Sequence, residues 1–160
     1  MPAIEPLSRL IGINLSLLNK EERILLEAGL FARIYEELKE LFAVQEKNYF
    51  RLLRLTREQE NTMLEAGFVH TIIKDILSTG EYDLKGIAQY TDTFEEVVEE
   101  FVTGQNTNPS AIFLRRLINL HSSVRRDLYS FIINKIIDQL MKTKNDLNDT
   151  SSKDDVCSAK

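Results

Sequence analysis

Apolar residues recur every three or four positions along most of the chain, in segments separated by short polar stretches. This spacing gathers the apolar side chains on one face of an α-helix. The residues that break helices are scarce, with six Gly and three Pro, and nearly all of them stand where a helix should start or stop. The pattern therefore predicts an all-α fold.

The first part of the chain, 1–55, is predicted to be an N-terminal helical region. Residues 6–18 are mostly apolar and predict one short helix. Asn19 and Glu22 then have the spacing of a capping box, in which the two side chains bond each other's backbone N–H groups. A long amphipathic helix follows, and its pattern continues beyond a bend near Ala43.

The second part begins with Thr56 and Gln59, which form another capping box at the start of a helix. Asp83 is the predicted N-cap of a short helix. Thr93 is the predicted cap of the next one, which Gly104 ends. These signals divide the middle of the chain into three helices with short connections.

Two further helices complete the predicted domain, which spans residues 56–142. Pro109 suits the first turn of one of them. The last helix runs from about Val124 to Lys142 with apolar residues in register. Residues 143–160 are rich in Asn, Asp, Ser, Thr and Lys, and such a segment buries too little apolar area to offset its ordering entropy. We expect it to be disordered.

Composition and charge narrow the functional classes. The net charge of −5 is opposite to the basic balance that usually accompanies nucleic-acid binding. Cys157 is the one cysteine, which excludes a disulfide within the chain and fits a reducing compartment. Without a secretory pattern at the N-terminus or an apolar run of about 18 residues, we expect a cytoplasmic protein that does not enter a membrane.

Several features between Asp83 and His121 occur together in one protein family. They are an apolar-Ala pair (Ile87-Ala88), two apolar residues in the following helix (Val98 and Phe101) and a closing glycine (Gly104). A Pro-Ser pair (Pro109-Ser110) then precedes the ending Leu117-Ile118-Asn119-Leu120-His121. On these residues, the segment from about 64 to 128 resembles the lambda-repressor-like (Cro/XRE-type) helix-turn-helix family. The resemblance implies a multi-helix orthogonal bundle with a helix-turn-helix core, flanked by N- and C-terminal helices.

The resemblance also implies a function, namely operator binding by a homodimer. The residues then expected to contact DNA are Lys85, Thr93, Asn106, Thr107, Asn108, Arg115 and Arg116. The dimer interface would use the wide apolar band of the last helix, with Leu128, Phe131, Ile132, Ile136 and Leu140. Burial of this band against the N-terminal helices is the alternative for the same residues, as a solvated helix face is for the arginines.

The predicted recognition helix departs from the family pattern. Its outward positions are Glu95, Glu96, Glu99 and Glu100, and carboxylates are repelled by phosphates. The glutamine that often opens the motif is replaced by Leu84, and the usual turn glycine by Asp92. A second function therefore stays open beside the DNA-binding regulator. In it, the same fold is a protein-interaction module, an adaptor or antagonist whose four glutamates meet a basic partner.

Catalytic and metal chemistry have little support in the sequence. His70 and His121 lack a Cys or a second His at ligand spacing. The i, i+4 glutamate pairs of the acidic helix occur in bundle metal sites, but such sites also use Glu-x-x-His, which is absent here. No phosphate-binding glycine loop or nucleophile motif occurs. We expect neither an enzyme nor a bound cofactor.

Overall fold

The computed structural model describes residues 6–151, and every regular element in that range is helical. The predicted all-α fold is confirmed. Two short 3₁₀ segments, Leu7–Arg9 and Leu15–Leu17, precede the α-helices. The α-helices are α1 (Lys20–Gln45), α2 (Lys47–Leu53), α3 (Arg57–Ser78), α4 (Leu84–Thr91), α5 (Glu95–Thr103), α6 (Ala111–Val124) and α7 (Arg126–Ser151).

Local sequence signals fix the starts of α1, α3 and α4. At α1, the Asn19 side chain accepts a hydrogen bond from the Glu22 backbone N–H, and the Glu22 carboxylate accepts one from the Asn19 N–H, both at 2.9 Å. Thr56 and Gln59 form the same reciprocal pair at α3. Asp83 caps α4 by accepting from a backbone N–H in its first turn. All three predicted caps are confirmed.

Two other predicted helix starts are wrong by one or two residues. Thr93 does not cap α5, because its backbone N–H bonds the carbonyl of Ala88 and so belongs to the end of α4. The N-cap of α5 is Phe94, which makes no side-chain capping bond. Pro109 lies before α6 rather than in its first turn, since Ser110 is the N-cap and its hydroxyl accepts the capping hydrogen bond.

The N-terminal region also differs from the prediction. Residues 6–18 form the two 3₁₀ segments rather than one helix, because Gly12 between them has a positive φ of 70° that an α-helix does not allow. The predicted bend near Ala43 is displaced to Glu46, where α1 and α2 meet. Apolar periodicity continued through both breaks and so did not reveal them.

The last helix is longer than expected. α7 begins at Arg126 and continues past the predicted end at Lys142 as far as Ser151. No Gly or Pro follows Pro109 in the sequence, so nothing in this segment forces the helix to stop. Residues 143–151, where we expect disorder, thus continue α7, and 152–160 lie outside the described residues.

The core lies around α3. This helix packs against α1, α5 and α6, while α4 packs on α5 and α6, and α7 packs on α1 and α6. Branched aliphatic side chains fill the centre, and the least exposed are Ile34, Leu38, Ile72, Ile73, Ile76, Ile87, Val98, Leu117, Ile118, Leu120 and Ile132. Burial of these residues from six helices, α1 and α3 to α7, fixes α4 and α5 against α3 and α6.

Candidate interaction surfaces and the polar contacts behind them

The connection between α4 and α5 is a three-residue turn whose geometry is held from α6. Asp92 adopts the left-handed conformation with φ 57°, which Asp tolerates better than most residues other than Gly. The Arg116 guanidinium donates to the carbonyl of Thr91 at 2.9 Å and to the Asp92 carboxylate at 3.2 Å. The aspartate that replaces the expected glycine is thus matched by an arginine.

Helix α5 has one apolar and one acidic face. Val98 and Phe101 are buried, and the Phe101 ring stacks on Phe113 with 4.9 Å between ring centroids. His70 on α3 donates from Nδ1 to the carbonyl of Val102 at 2.8 Å, which ties the C-terminal end of α5 to α3. These contacts fix the rotation of α5 about its own axis and direct its carboxylates outward.

The outward surface of α5, here called the acidic face, comprises Phe94, Glu95, Glu96, Glu99 and Glu100. All five side chains are exposed, and Phe94 is 77% exposed although it is aromatic. Among the described residues, no cation lies within ion-pair distance of these glutamates, and their polar partner is Asn106 Nδ2, 3.5 Å from Glu100. A dense negative surface with an apolar residue at its edge therefore faces solvent.

Arg115 is held in a contact between α6 and α1. Its guanidinium donates to the Glu27 carboxylate at 2.7 Å and lies above the ring of Phe31. The same carboxylate accepts from the backbone N–H groups of Leu7 and Ser8 at 2.8 and 2.9 Å. Burial acts to raise the pKa of Glu27, but the hydrogen bonds from Arg115 and from the backbone outweigh it, so this pKa is lowered.

The structure does not bring the predicted DNA-contacting residues together as a cationic surface. Lys85 on α4 is exposed, as are Thr107 and Asn108 in the loop before α6, whereas Thr93 and Asn106 are half-buried. The Asn106 side chain accepts from the Asn108 backbone N–H at 3.0 Å, which shapes the loop itself.

The two arginines at the centre of the predicted DNA site have internal roles. Arg115 and Arg116 are only 17% and 19% exposed. Their carboxylate partners, Glu27 and Asp92, lie 88 and 24 residues away in sequence, a separation at which periodicity gives no information. In the described conformation both guanidinium groups are engaged inside the fold, and their contact with phosphate stays a prediction.

A buried polar network connects α3, α6 and α7. His121 is fully buried, with Nδ1 2.9 Å from the Tyr129 hydroxyl and Nε2 2.8 Å from the Asp75 carboxylate. Arg125, at the junction of α6 and α7, donates to both oxygens of Asp75. No spacing in the sequence indicates the pairing of His121 with Asp75, because the two residues lie 46 positions apart.

Burial is the largest influence on the pKa values of His121 and Tyr129 in this network. It lowers the pKa of His121, and the opposing effect of the Asp75 hydrogen bond is smaller. Neutral His121 has one N–H, which donates from Nε2 to Asp75, because a carboxylate can only accept; Nδ1 then accepts from Tyr129. Burial also raises the pKa of Tyr129. The arrangement resembles a proton relay, but its central imidazole has no access to solvent.

The apolar band of α7 is divided between the core and the surface. Ile132 and Ile136 are buried in the core and so cannot form a dimer interface in this fold, whereas Leu128 is half-buried. Phe131 and Leu140 are each 59% exposed and remain candidates for one. Polar contacts to α1 accompany the buried side, with Lys135 Nζ bonded to the carboxylates of Glu37 and Glu40 and Arg33 bonded to Gln139.

A second exposed surface, which the sequence analysis did not identify, lies at the junction of α1 and α3. It is formed by α2 and its C-cap and is here called the α2 tip: Lys47, Tyr49, Arg51, Leu52, Leu53 and Arg54. Phe50 is directed inward, while Leu52 is 82% exposed. Among the described residues, no carboxylate lies within ion-pair distance of the three bases. In the sequence this surface is visible only as bases interleaved with apolar residues, a pattern that also fits the continuation of an amphipathic helix.

No family model, curated protein or solved structure matches the chain. Within residues 6–151, no group of three or more His, Cys, Asp or Glu side chains is arranged to hold a metal ion. The described helices include none long and apolar enough to cross a membrane.

Proposed function

We propose that this chain is a protein-interaction module of helix-turn-helix type, which binds a basic partner through the acidic face of α5. One observation carries the proposal: the carboxylates on the outward surface of α5 have no cationic partner among the described residues, whereas Arg115 and Arg116 are matched by Glu27 and Asp92. Arg115 and Arg116 are thus used inside the fold, and the carboxylates of α5 are left for a ligand.

The succession of elements supports a helix-turn-helix origin for this surface. α4, the turn 92–94 and α5 follow in the order and with the short connection of that motif. Ile87 and Ala88 of α4 are buried, as is Val98 of α5, so these three of the residues on which the family resemblance rests lie in the core. A recognition helix would use its outward residues, which here are glutamates.

Electrostatics favours a basic protein over DNA as the ligand. A duplex carries one negative charge per about 1.7 Å of its axis, and its affinity for proteins depends on matching phosphates with Lys or Arg. Between Gly80 and Gly104 the chain has seven acids and one base, Lys85. A carboxylate surface of this density would be attracted to a basic surface and repelled by phosphates.

The test is a pair of fluorescence-anisotropy titrations at about 50 and 200 mM salt, with two labelled probes. One probe is a random DNA duplex, and the other is an amphipathic helical peptide with Lys and Arg on one face and Leu on the other. We expect the peptide to bind and the duplex not to bind. In the variant Glu96→Lys/Glu99→Lys, peptide binding should fall at least about tenfold.

A matched control separates the effect of net charge from the effect of losing the acidic face. Glu21→Lys/Glu22→Lys would disrupt a cap, so the control is Glu58→Lys/Asp138→Lys at exposed positions of α3 and α7. It makes the same change in net charge and should leave peptide affinity within about twofold. Equal loss in both variants, or no peptide binding by the unaltered chain, would overturn the proposal.

Operator binding by a dimer is the second candidate, and the order of α4, turn and α5 is the observation that favours it. Lys85 and the loop residues Thr107 and Asn108 are exposed and would supply the phosphate contacts. Steeply salt-dependent binding of the duplex, reduced by Lys85→Ala, would establish this function in place of the interaction module.

A further inference from the structure

We propose that the basic partner of the acidic face is the α2 tip of a second copy of this chain, so that copies associate head to tail. This inference rests on the proposed function and names its partner. It starts from the tip, where α2 leaves an apolar surface without a covering element. Tyr49, Leu52 and Leu53 are 49%, 82% and 47% exposed in a helix of seven residues.

Exposure on this scale is unusual for a surface that stays in water. Isolated exposed apolar side chains are common, but a group of them beside charges is typical of binding surfaces. Phe50 secures the helix from its inner side, with 5% exposure, so the outward direction of the leucines is fixed by packing rather than by fraying. The tip therefore requires an occupant with an apolar element.

The positive charge of the tip indicates that its occupant is also acidic. Residues 44–54 contain three bases, Lys47, Arg51 and Arg54, and one acid, Glu46. None of these bases has an ion-pair partner among the described residues. An occupant with exposed carboxylates around an apolar residue would match both the charge and the leucines.

The acidic face has this composition. Phe94 stands exposed at the N-terminal end of α5, next to Glu95 and Glu96, with two further glutamates along the helix. Each surface carries apolar and charged residues, with opposite signs, and both lie on the same chain. Because the two surfaces are different, their pairing is heterologous. A bound pair still has a free tip on one copy and a free acidic face on the other, so further copies can add.

The experiment measures association of the intact chain by sedimentation equilibrium from about 10 to 500 μM at low and high salt. We expect the average mass to rise with concentration at about 50 mM salt and to approach the monomer at about 500 mM, where screening is strong. The tip variant Lys47→Glu/Arg51→Glu and the face variant Glu96→Lys/Glu99→Lys should each associate at least about tenfold more weakly.

Mixing the two variants separates this arrangement from a symmetric dimer. The tip variant retains an intact acidic face and the face variant an intact tip, so an equimolar mixture should form complexes that neither variant forms alone. If the tip instead paired with another tip, the face variant alone would associate normally. Leu140→Ser on α7 is the matched apolar control and should leave association unchanged. Loss of association in this variant would indicate that α7 is the interface.

The outcomes distinguish this inference from the function on which it rests. A chain that stays monomeric at about 500 μM and low salt, yet binds the basic peptide through α5, contradicts head-to-tail association and leaves the interaction module intact. Phosphatidylserine vesicles test whether an anionic membrane occupies the tip instead. If the vesicles bind the unaltered chain but not the tip variant, and the mixture of variants forms no complexes, the occupant is a membrane and the inference is wrong.

Discussion

The network around Asp75 and the acidic face of α5 each bring several charged or polar side chains together. They differ in whether those charges have partners within the chain. Inside, Asp75 meets His121 and Arg125 at hydrogen-bond distance. On α5, the carboxylates are exposed and have no cationic partner among the described residues. A matched interior charge contributes to stability because its partners cannot regain water when it is lost, whereas an exposed one is stabilised by hydration and stays available for binding. Substitutions in the two regions should therefore affect different measurements.

Asp75→Ala should have the largest effect on stability. The substitution removes the acceptor for His121 and for Arg125, and a buried donor left without an acceptor costs about 1–3 kcal/mol. We expect the free energy of unfolding to fall by about 3 kcal/mol, measured by urea denaturation with helical circular dichroism. Asp138→Ala, on the exposed side of α7, is the control and should change it by less than about 0.5 kcal/mol. Similar small losses in both variants would contradict an essential network.

Glu27→Ala should follow, with a loss of about 2 kcal/mol, because Arg115 and the backbone N–H groups of Leu7 and Ser8 lose a common acceptor. Glu27→Gln retains one acceptor oxygen and should lose less. The double variant with Arg115→Ala should be less destabilised than the sum of the single losses, since the side chains form one unit. Additive losses would show that the contact between α1 and α6 is energetically unimportant.

His121 should make stability depend on pH. Its pKa is lowered in the folded chain, so below about pH 6.5 the unfolded chain takes up a proton that the folded chain resists. Stability contributed by neutral His121 is complete above that pH and lost as the pH falls below it. Between pH 7.5 and 5.5 we expect a loss of about 1 kcal/mol. The same two-point measurement on His121→Asn should show a smaller loss; an equal one would assign the pH dependence to other groups.

Glu96→Lys/Glu99→Lys should have the smallest effect on stability, within about 0.5 kcal/mol, because neither carboxylate has an ion-pair partner in the described fold. The same variant should lose the basic peptide. A loss of stability comparable to that of Asp75→Ala would mean that the acidic face is part of the fold rather than a surface for a partner, and the contrast between the two regions would disappear.

Features formed by residues close together in sequence were predictable, whereas those formed by residues far apart in sequence were not. The caps at Asn19, Thr56 and Asp83 involve residues three positions apart, so their spacing is visible in the sequence. Apolar periodicity likewise predicted the helices of the core. The cap assigned to Thr93 was wrong because the backbone N–H of Thr93 bonds the end of α4, and residue spacing does not show where α4 ends.

The candidate site was predictable only on α5. Val98 and Phe101 defined its inner face, and the glutamates therefore had to lie outside. The internal pairing of Arg115 and Arg116 depends on helix packing that sequence spacing does not encode, as does the assignment of Ile132 to the core. The α2 tip was missed for the opposite reason: leucines at helical spacing were expected to be buried, and only the packing of α2 shows which side of it lacks a neighbour.

The carboxylate of Glu27 has a consequence for the order in which the molecule opens. Leu7 and Ser8 belong to a three-residue 3₁₀ segment near the start of the chain, where backbone amides ordinarily exchange their protons with water within seconds of opening. Here both amides are bonded to a side chain of α1 that is itself held by α6. Their exchange should therefore be as slow as that of residues within α1, which makes the segment Leu7–Arg9 part of the same cooperative unit as α1 and α6.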